Sequence, residues 1–467
     1  MPNVSTLIIG GGISGASALH WLALGGDDVL LLEAAGVLGG VIGSHRNALG
    51  GLVETGPNST QLSNPQLQRI IDELDLGGEM MTADARAKSR FIVKGGRLVA
   101  TPSGPGDFLS SPLFSTAAKL RLLREPFIAP APPDADESIA QFVERRLGRE
   151  FLDYAINPFV SGVYAGLPER LSVRSAFPKL HALEQQYGSL IRGALARRRQ
   201  TKKARKDSIG APRVSSLISF REGMATLPRR VAERWSDRVR TNSPVSAIER
   251  VADGAWRVTA AGEVYDAERI VIATPADVTA RLVESFDGEL AAALGRIEYP
   301  PVATMLSLYR RDDVGHPLDG FGCLVPEVER RRVLGVIFSS TLFANRAPEG
   351  MVAVTTFIGG ARQPEIARLP DDELAAVVLA EHEALLGVRA APVSFEINRW
   401  ERAIPQYNVG YGAILETMAA AERRAPGLHL LGNTRGGVSV GDCVKTAGDL
   451  AARLLATSSD AAAAVHG

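Results

Sequence analysis

Three glycines near the start of the chain carry the clearest chemical signal. Gly10, Gly12 and Gly15 stand in G-x-G-x-x-G order, with Gly11, Ile13 and Ser14 between them. Such spacing serves phosphate binding. The first glycine permits a tight turn, the second lets a pyrophosphate approach the main chain, and the third allows a helix to pack closely on a strand. Glu33 stands where an acid would accept hydrogen bonds from a ribose hydroxyl.

The elements around these residues have the right order. The apolar run from Val4 to Ile9 predicts a buried parallel strand, Ile13 to Leu24 a helix, and Val29 to Leu32 a second strand ending at Glu33. The helix N-terminus adds free N–H groups and a positive partial charge for phosphates. Strand, helix, second strand and acid together predict a dinucleotide site. Two further glycine-bearing turns follow, Val37-Leu38-Gly39-Gly40 and Gly56-Pro57-Asn58-Ser59. Behind a dinucleotide fold, both suit close passage of a flavin's phosphates and ribityl chain, which favours FAD over NAD.

Composition narrows the remaining classes. The chain has 467 residues, 45% hydrophobic and 22% charged, as in a soluble globular protein of about two to four domains. Lys plus Arg and Asp plus Glu are both 52, so net charge gives no hint of nucleic acid. Cys323 and Cys443 are the only cysteines and the seven histidines are scattered, so neither a disulfide framework nor a metal site is expected. His45, the histidine nearest the nucleotide motif, reads as a loop residue. The motif begins within ten residues of Met1, so no signal or transit peptide is expected. No apolar run is long enough to span a membrane, and a cytoplasmic location follows as the expectation.

The pattern then alternates between classes. A helix is expected from Asn64 to Leu76 and a Gly95-Gly96 hairpin from Arg90 to Val99, followed by a proline-broken stretch and helices through Gly166. From 197 to 206 seven of ten residues are Lys or Arg, beside Leu190, Ile191 and Leu195. That cluster is a solvated helix end or a contact with an anionic membrane surface; without interleaved aromatics it does not suit nucleic acid. Beyond Pro244 strands predominate: Val245 to Arg250, a turn at Asp253-Gly254, Ala255 to Ala260, Arg269 to Pro275, then Val302 to Leu308, Gly322 to Val325, Gly335 to Ser339 and Met351 to Phe357. A helix from Asp371 to Leu386, a strand at Leu428 and a helix from Asp442 to Leu455 close the pattern, and the alanine-rich tail from Ser458 is expected to fray.

Several ordered motifs resemble one family throughout the chain. They are Pro158-Phe159-Val160-Ser161-Gly162-Val163-Tyr164-Ala165-Gly166, Pro168-Glu169-Arg170-Leu171-Ser172, Phe321-Gly322 with Leu324-Val325-Pro326, Asn345-Arg346-Ala347-Pro348, and the glycine-rich stretch from Gly432 to Gly441. The chain resembles the oxygen-dependent protoporphyrinogen oxidases. The resemblance implies an α/β (α+β multidomain) fold of the p-hydroxybenzoate hydroxylase and monoamine oxidase type. A Rossmann-like FAD-binding domain would come in segments 1–87, 213–290 and 401–457, with a helical insertion at 88–212, a mixed-sheet substrate domain at 291–400 and a tail at 458–467.

It also implies a six-electron oxidation of a porphyrinogen, with oxygen reduced to hydrogen peroxide. Coproporphyrinogen III is the alternative substrate; flavin amine oxidation and non-catalytic binding of FAD or a tetrapyrrole are weaker ones. Arg90 would pair a substrate propionate, Gly162 would turn its carbonyl to the reacting ring, and Leu324, Ile337 and Phe357 would clamp the macrocycle. FAD would meet Gly10, Gly11, Gly12, Ile13, Ser14, Gly15, Glu33, Ala34, Gly39, Gly40, Val41, Gly56, Pro57, Asn58, Ser59, Val245, Trp400, Val438, Ser439 and Val440. The resemblance implies no side-chain base and no metal, admits a peripheral membrane contact, and leaves a homodimer open. Two positions depart from the family pattern: Val37, where many relatives have Arg, and Leu167, where they commonly have Asp.

Overall fold

The computed structural model describes residues 3–207, 216–251 and 254–466, with the backbone alone at 201–207 and 458–466. Two seven-stranded sheets organise it. In the first, the order is Val239–Arg240, Val29–Leu32, Asn3–Ile9, Glu263–Ile272, Trp256–Ala260 and Val245–Arg250. The long strand Glu263–Ile272 branches the sheet. Its first half pairs antiparallel with Trp256–Ala260, and Ile270 to Ile272 pair parallel with Leu428–Leu430. Leu7, Ile8, Leu31, Ile270 and Val271 are fully buried, as expected of parallel strands covered on both faces. Helices Ile13–Leu24 and Val440–His466 pack together against this sheet. The latter continues past the last inward-facing leucines, through the stretch expected to fray.

The helix expected near residue 65 runs Pro65–Glu73, capped by Asn64 Oδ1, which accepts from Leu67 N at 2.8 Å. Pro65 at the first helical position gives up only an N–H that would have no partner inside the helix.

The second sheet runs Ser394–Trp400, Val302–Arg310, Met351–Gly359, Gly335–Ile337, Gly322–Leu324, Phe91–Lys94 and Arg97–Ala100. The hairpin therefore lies at the edge of this second sheet, although it stands in the stretch expected to form the helical insertion. Gly95 and Gly96 turn it with φ of 58° and 73°, values that favour glycine. One sheet face, with Ala303, Met305, Cys323, Val336 and Ile358, is buried against helix Asp371–Leu386. The other face carries the site. The apolar alternation of Val393, Phe395 and Ile397, running into strand Ser394–Trp400, is broken by Arg399.

The insertion is helical. Arg146 is fully buried and its Nε donates to Glu184 at 2.5 Å, while its Nη1 donates to Glu125 at 3.2 Å. Glu125 in turn accepts from the backbone N–H groups of Leu190 and Ile191, at the start of helix Leu190–Asp207. A buried arginine is tolerable here because two carboxylates and two carbonyls surround it. The side chains from 201 to 206, the larger part of the basic cluster, lie outside the described residues, as does Asp253 of the predicted turn.

Candidate active site

The nucleotide groove is built by glycine contacts. A Cβ on Gly15 would lie 1.9 Å from the Gly10 carbonyl oxygen, so helix and strand turn can come this close here only through glycine. Gly10 itself holds φ of 103°. A Cβ on Gly12 would meet nothing within 4 Å, leaving open space where a phosphate could reach the main chain. No side chain caps helix Ile13–Leu24, so its leading N–H groups keep their polarity for an anion.

Glu33 closes the other end of this loop. Its Oε2 accepts from Gly11 N at 2.6 Å and its Oε1 from Ala35 N at 2.7 Å. A carboxylate offers about four lone-pair directions, so both oxygens can still accept from ribose hydroxyls. The backbone N–H of Ser243 donates to the Glu33 carbonyl at 2.8 Å, which brings the start of strand Val245–Arg250, and so Val245, beside the acid. Ala34 is exposed.

The second glycine turn folds back onto the first. Gly39 N donates to the Gly11 carbonyl at 2.9 Å. A Cβ on Gly56 would stand 2.2 Å from the Val41 carbonyl oxygen, which ties residues 56–59 to the same wall. Trp400 Nε1 and Asn398 Nδ2 both donate to the Thr55 carbonyl, at 2.6 and 2.9 Å, so the second sheet is fastened to this loop. Pro57, Asn58 and Ser59 are half-buried beside it. At the far end Ser439 caps the last helix, its Oγ accepting from Asp442 N at 3.1 Å. Val438 is half-buried just before this cap, Val440 is the first helical residue, and Gly40 and Val41 are exposed along the groove. Two helix N-termini, three glycine turns and an acid fit the phosphates, ribityl chain and ribose of FAD.

Strand register decides the rest of the site. Leu324, Gly335 and Phe357 form one cross-strand row, as do Gly322, Ile337 and Thr355 two residues along. Directly paired residues share a sheet face, and so do residues two apart. Leu324, Ile337 and Phe357 therefore line one face, all half-buried, opposite the buried face of Cys323 and Val336. Ile92 pairs with Leu324, and Arg90 precedes Ile92 by two. Arg90 is exposed at the edge of this face, its guanidinium 5.4 Å from the Phe321 ring centre. No carboxylate pairs with it among the described residues.

Helix Asn157–Tyr164 leans over that face. A Cβ on Gly162 would lie 2.7 Å from Leu324 Cδ2, so the two predicted residues are neighbours. The helix ends in Ala165, at φ of 49°, so the Gly162 carbonyl has no i+4 partner; among the described residues no hydrogen bond ends on it. A wide π turn, Leu152–Ile156, precedes the helix and accommodates Pro158, which has no N–H to donate. The predicted substrate residues thus come together on one slot, with the predicted FAD residues on the adjoining groove.

The family described as "Flavin containing amine oxidoreductase" matches residues 11–455. The mitochondrial protoporphyrinogen oxidase of Nicotiana tabacum is 33% identical, covering 94% of this chain and 92% of that protein. The chain belongs to the protoporphyrinogen oxidase family. The member of this family from Bos taurus is 32% identical over 97% of this chain and 98% of its own length. Among solved structures, a putative protoporphyrinogen oxidase from Exiguobacterium sp. 255-15 shares the fold, with a TM-score of 0.81 at 23% identity, covering 98% of this chain and 99% of that one. Membership makes the chain a flavin-dependent oxidoreductase, and FAD is its cofactor. Of the two departures from the family pattern, Val37 is 74% exposed at the rim of the groove, and Leu167 lies in a turn, its carbonyl accepting from Arg170 N and Leu171 N.

Several residues of the site carry no sequence signal. Arg362 donates to Val325 O, Ser161 Oγ and Asn157 Oδ1. Gln406 Nε2 donates to Tyr164 O at 2.8 Å. Glu54, beside the Thr55 loop, is buried; burial pushes its carboxyl up to about 7, against the opposing pull of Ser44, Arg346 and Met224 N. Arg346, 3.6 Å away, is pushed down by the same loss of water. His45, expected in a loop, stands instead in the short strand Ser44–Arg46, which pairs with Leu52–Glu54, and reaches across to Glu396 of the second large sheet at 2.6 Å.

Proposed function

We propose that this chain oxidises protoporphyrinogen IX to protoporphyrin IX, a six-electron change in which three O2 are reduced to H2O2. The observation that carries the reading is the half-buried apolar face of Leu324, Ile337 and Phe357, with Arg90 at its edge and Gly162 over it. A porphyrinogen is broad and apolar with carboxylates at one margin, and a guanidinium fork matches a carboxylate. When bound, FAD supplies the hydride acceptor and the reaction with oxygen. The chain's own part is to bind and orient. Arg90 holds a propionate, the apolar residues exclude water and fix the macrocycle's plane, and the Gly162 carbonyl accepts a hydrogen bond from a pyrrole N–H. Orientation of this kind can contribute much of a rate enhancement without a side-chain base.

Coproporphyrinogen III carries four propionates and would call for further cations. The two cross-strand rows through Leu324 and Ile337 carry Arg90 alone, which supports protoporphyrinogen. A cation at the slot edge also opposes an ammonium substrate, against amine oxidation. The test is anaerobic mixing of the purified holoenzyme with each porphyrinogen. Flavin bleaching by protoporphyrinogen, faster than by coproporphyrinogen, is expected; a flavin that stays oxidised with both sinks the reading.

A peripheral membrane contact through the insertion belongs to the same proposal. Leu109, Leu120, Leu123 and Phe127 are exposed there, Phe127 by 83%, beside Lys119, Arg121 and Arg124. Apolar side chains flanked by cations suit an anionic lipid surface. Among the described residues no helix is long and apolar enough to cross a membrane. Co-sedimentation with anionic vesicles, lost on Phe127→Asp, checks the contact.

A further inference from the structure

The slot has two jaws, the sheet face at Leu324 and the helix at Gly162, and one side chain reaches the residue next to each. Arg362 Nη1 donates to the Val325 carbonyl at 3.0 Å, and Nη2 donates to Ser161 Oγ at 2.7 Å and to Asn157 Oδ1 at 3.1 Å. Val325 follows Leu324, and Ser161 precedes Gly162. Asn157 adds a second tie, accepting from Glu327 N at 3.0 Å and donating to Glu327 Oε2 at 3.1 Å. The turn that carries Arg362 follows strand Met351–Gly359, the strand of Phe357, and its Ala361 N donates to the Ala165 carbonyl at 2.7 Å.

Arg362 pairs with no carboxylate among the described residues, and its buried Nε has no hydrogen-bond partner there. Glu327 and Glu169 act on it only at a distance. A partly desolvated guanidinium without an ion pair is costly. Its three bonds all end on the two jaws, and a planar fork fixes the distance between the groups it bridges in a way a flexible ammonium does not.

We infer that Arg362 is a positioning residue that sets the gap between Gly162 and Leu324, and so the placement of the reacting ring. The inference rests on the porphyrinogen reading above. Arg362 acts through Ser161 and Val325 and holds no substrate carboxylate itself. Its loss should therefore slow the reaction of bound substrate more than it weakens binding.

The test is anaerobic flavin reduction by protoporphyrinogen IX in holoenzyme carrying Arg362→Met, Arg362→Lys, Ser161→Ala or the Met/Ala pair. In Arg362→Met the limiting rate should fall about tenfold or more, because small misplacements are expensive, while the half-saturating concentration moves less than about threefold. Arg362→Lys should recover part of the loss, and Ser161→Ala should add nothing in the Met background, since the bond is already gone. The flavin spectrum should stay as in the wild type. A loss confined to the half-saturating concentration, or additive effects in the double variant, overturns the inference. Where Arg362→Met does not fold, Arg362→Lys and Ser161→Ala carry the test, and limiting rates equal to the wild type in both overturn it. A wild-type flavin that protoporphyrinogen does not bleach overturns the substrate assignment instead. Arg362 is then read from amide exchange at residues 159–164, which must quicken in Arg362→Lys.

Discussion

Gly162 and Leu324 meet across the slot with no room for a methyl group: a Cβ on Gly162 would stand 2.7 Å from Leu324 Cδ2 and 3.6 Å from its Cδ1. Helix and sheet face approach through the absence of a side chain on one and a flexible leucine on the other. Gly162→Ala should leave the fold intact, because the far end of a leucine can move and alanine favours the helix. It should narrow the slot and lower kcat/KM by about tenfold, roughly 1.4 kcal/mol of transition-state placement. Steady-state porphyrin fluorescence, with melting temperature as the control, reads both.

Arg90 stands exposed at the slot edge, with no carboxylate partner among the described residues. Arg90→Ala should raise KM by about 10- to 100-fold, the range of one charge-assisted contact of about 1.5–3 kcal/mol. The flavin absorption spectrum should not change, since Arg90 lies away from the nucleotide groove. An unmoved KM in steady-state assays would remove the residue from the substrate site.

The close approach at Gly15 is less forgiving. Its absent Cβ would lie 1.9 Å from a backbone oxygen that cannot rotate away. Gly15→Ala should cost about 3 kcal/mol or more and empty the protein of flavin. The absorbance ratio of flavin to protein after purification is the measurement.

Val37 offers a gain in place of a loss. Being 74% exposed at the groove rim, it can be replaced by arginine without steric cost. Val37→Arg should tighten FAD by about two- to fivefold, the yield of one exposed charge contact, and the gain should fade in high salt. Titration of the apoprotein with FAD at two salt concentrations gives the answer.

Glu54 should make stability depend on pH. Its folded carboxyl is raised to about 7 from an ordinary 4.5, chiefly by burial, so the folded state holds the proton more firmly than the unfolded state does. Stability is then full below about 4.5 and falls as pH rises through about 7, by up to about 3 kcal/mol. His382 works in the opposite sense. Buried with Tyr309 and Thr356 at its two nitrogens, it is pushed down to about 4, so it loses stability as pH falls from 6.5 towards 4. Glu54→Gln should leave the acid side alone and flatten the loss between pH 5 and 7.5. Melting temperatures of the two proteins across that range should converge at low pH and part at high pH.

The readable part of the site was the part built from backbone. Gly10, Gly12 and Gly15 are conspicuous in sequence because only glycine satisfies the contacts they make, and Val4 to Leu32 reads correctly because parallel strands covered on both sides are uniformly apolar. Leu324, Ile337 and Phe357 gave no such sign. Each is an apolar residue in an apolar strand, and only register, together with the ordered motifs of the family, places them on one half-buried face. Arg362, Gln406 and Glu54 were invisible for a further reason. Their partners are a hydroxyl, a carbonyl and a backbone N–H hundreds of residues away, with no local spacing to betray them. Strand Ser394–Trp400 was missed because neither of its faces is fully apolar.

Strand Leu428–Leu430 completes the parallel half of the first sheet, and helix Val440–His466 covers it. During synthesis the ribosome must therefore release nearly the entire polypeptide before the groove opened by Gly10 has its second wall. Retention of FAD is a late event in the life of the nascent chain, and every truncated product upstream of residue 428 would emerge colourless.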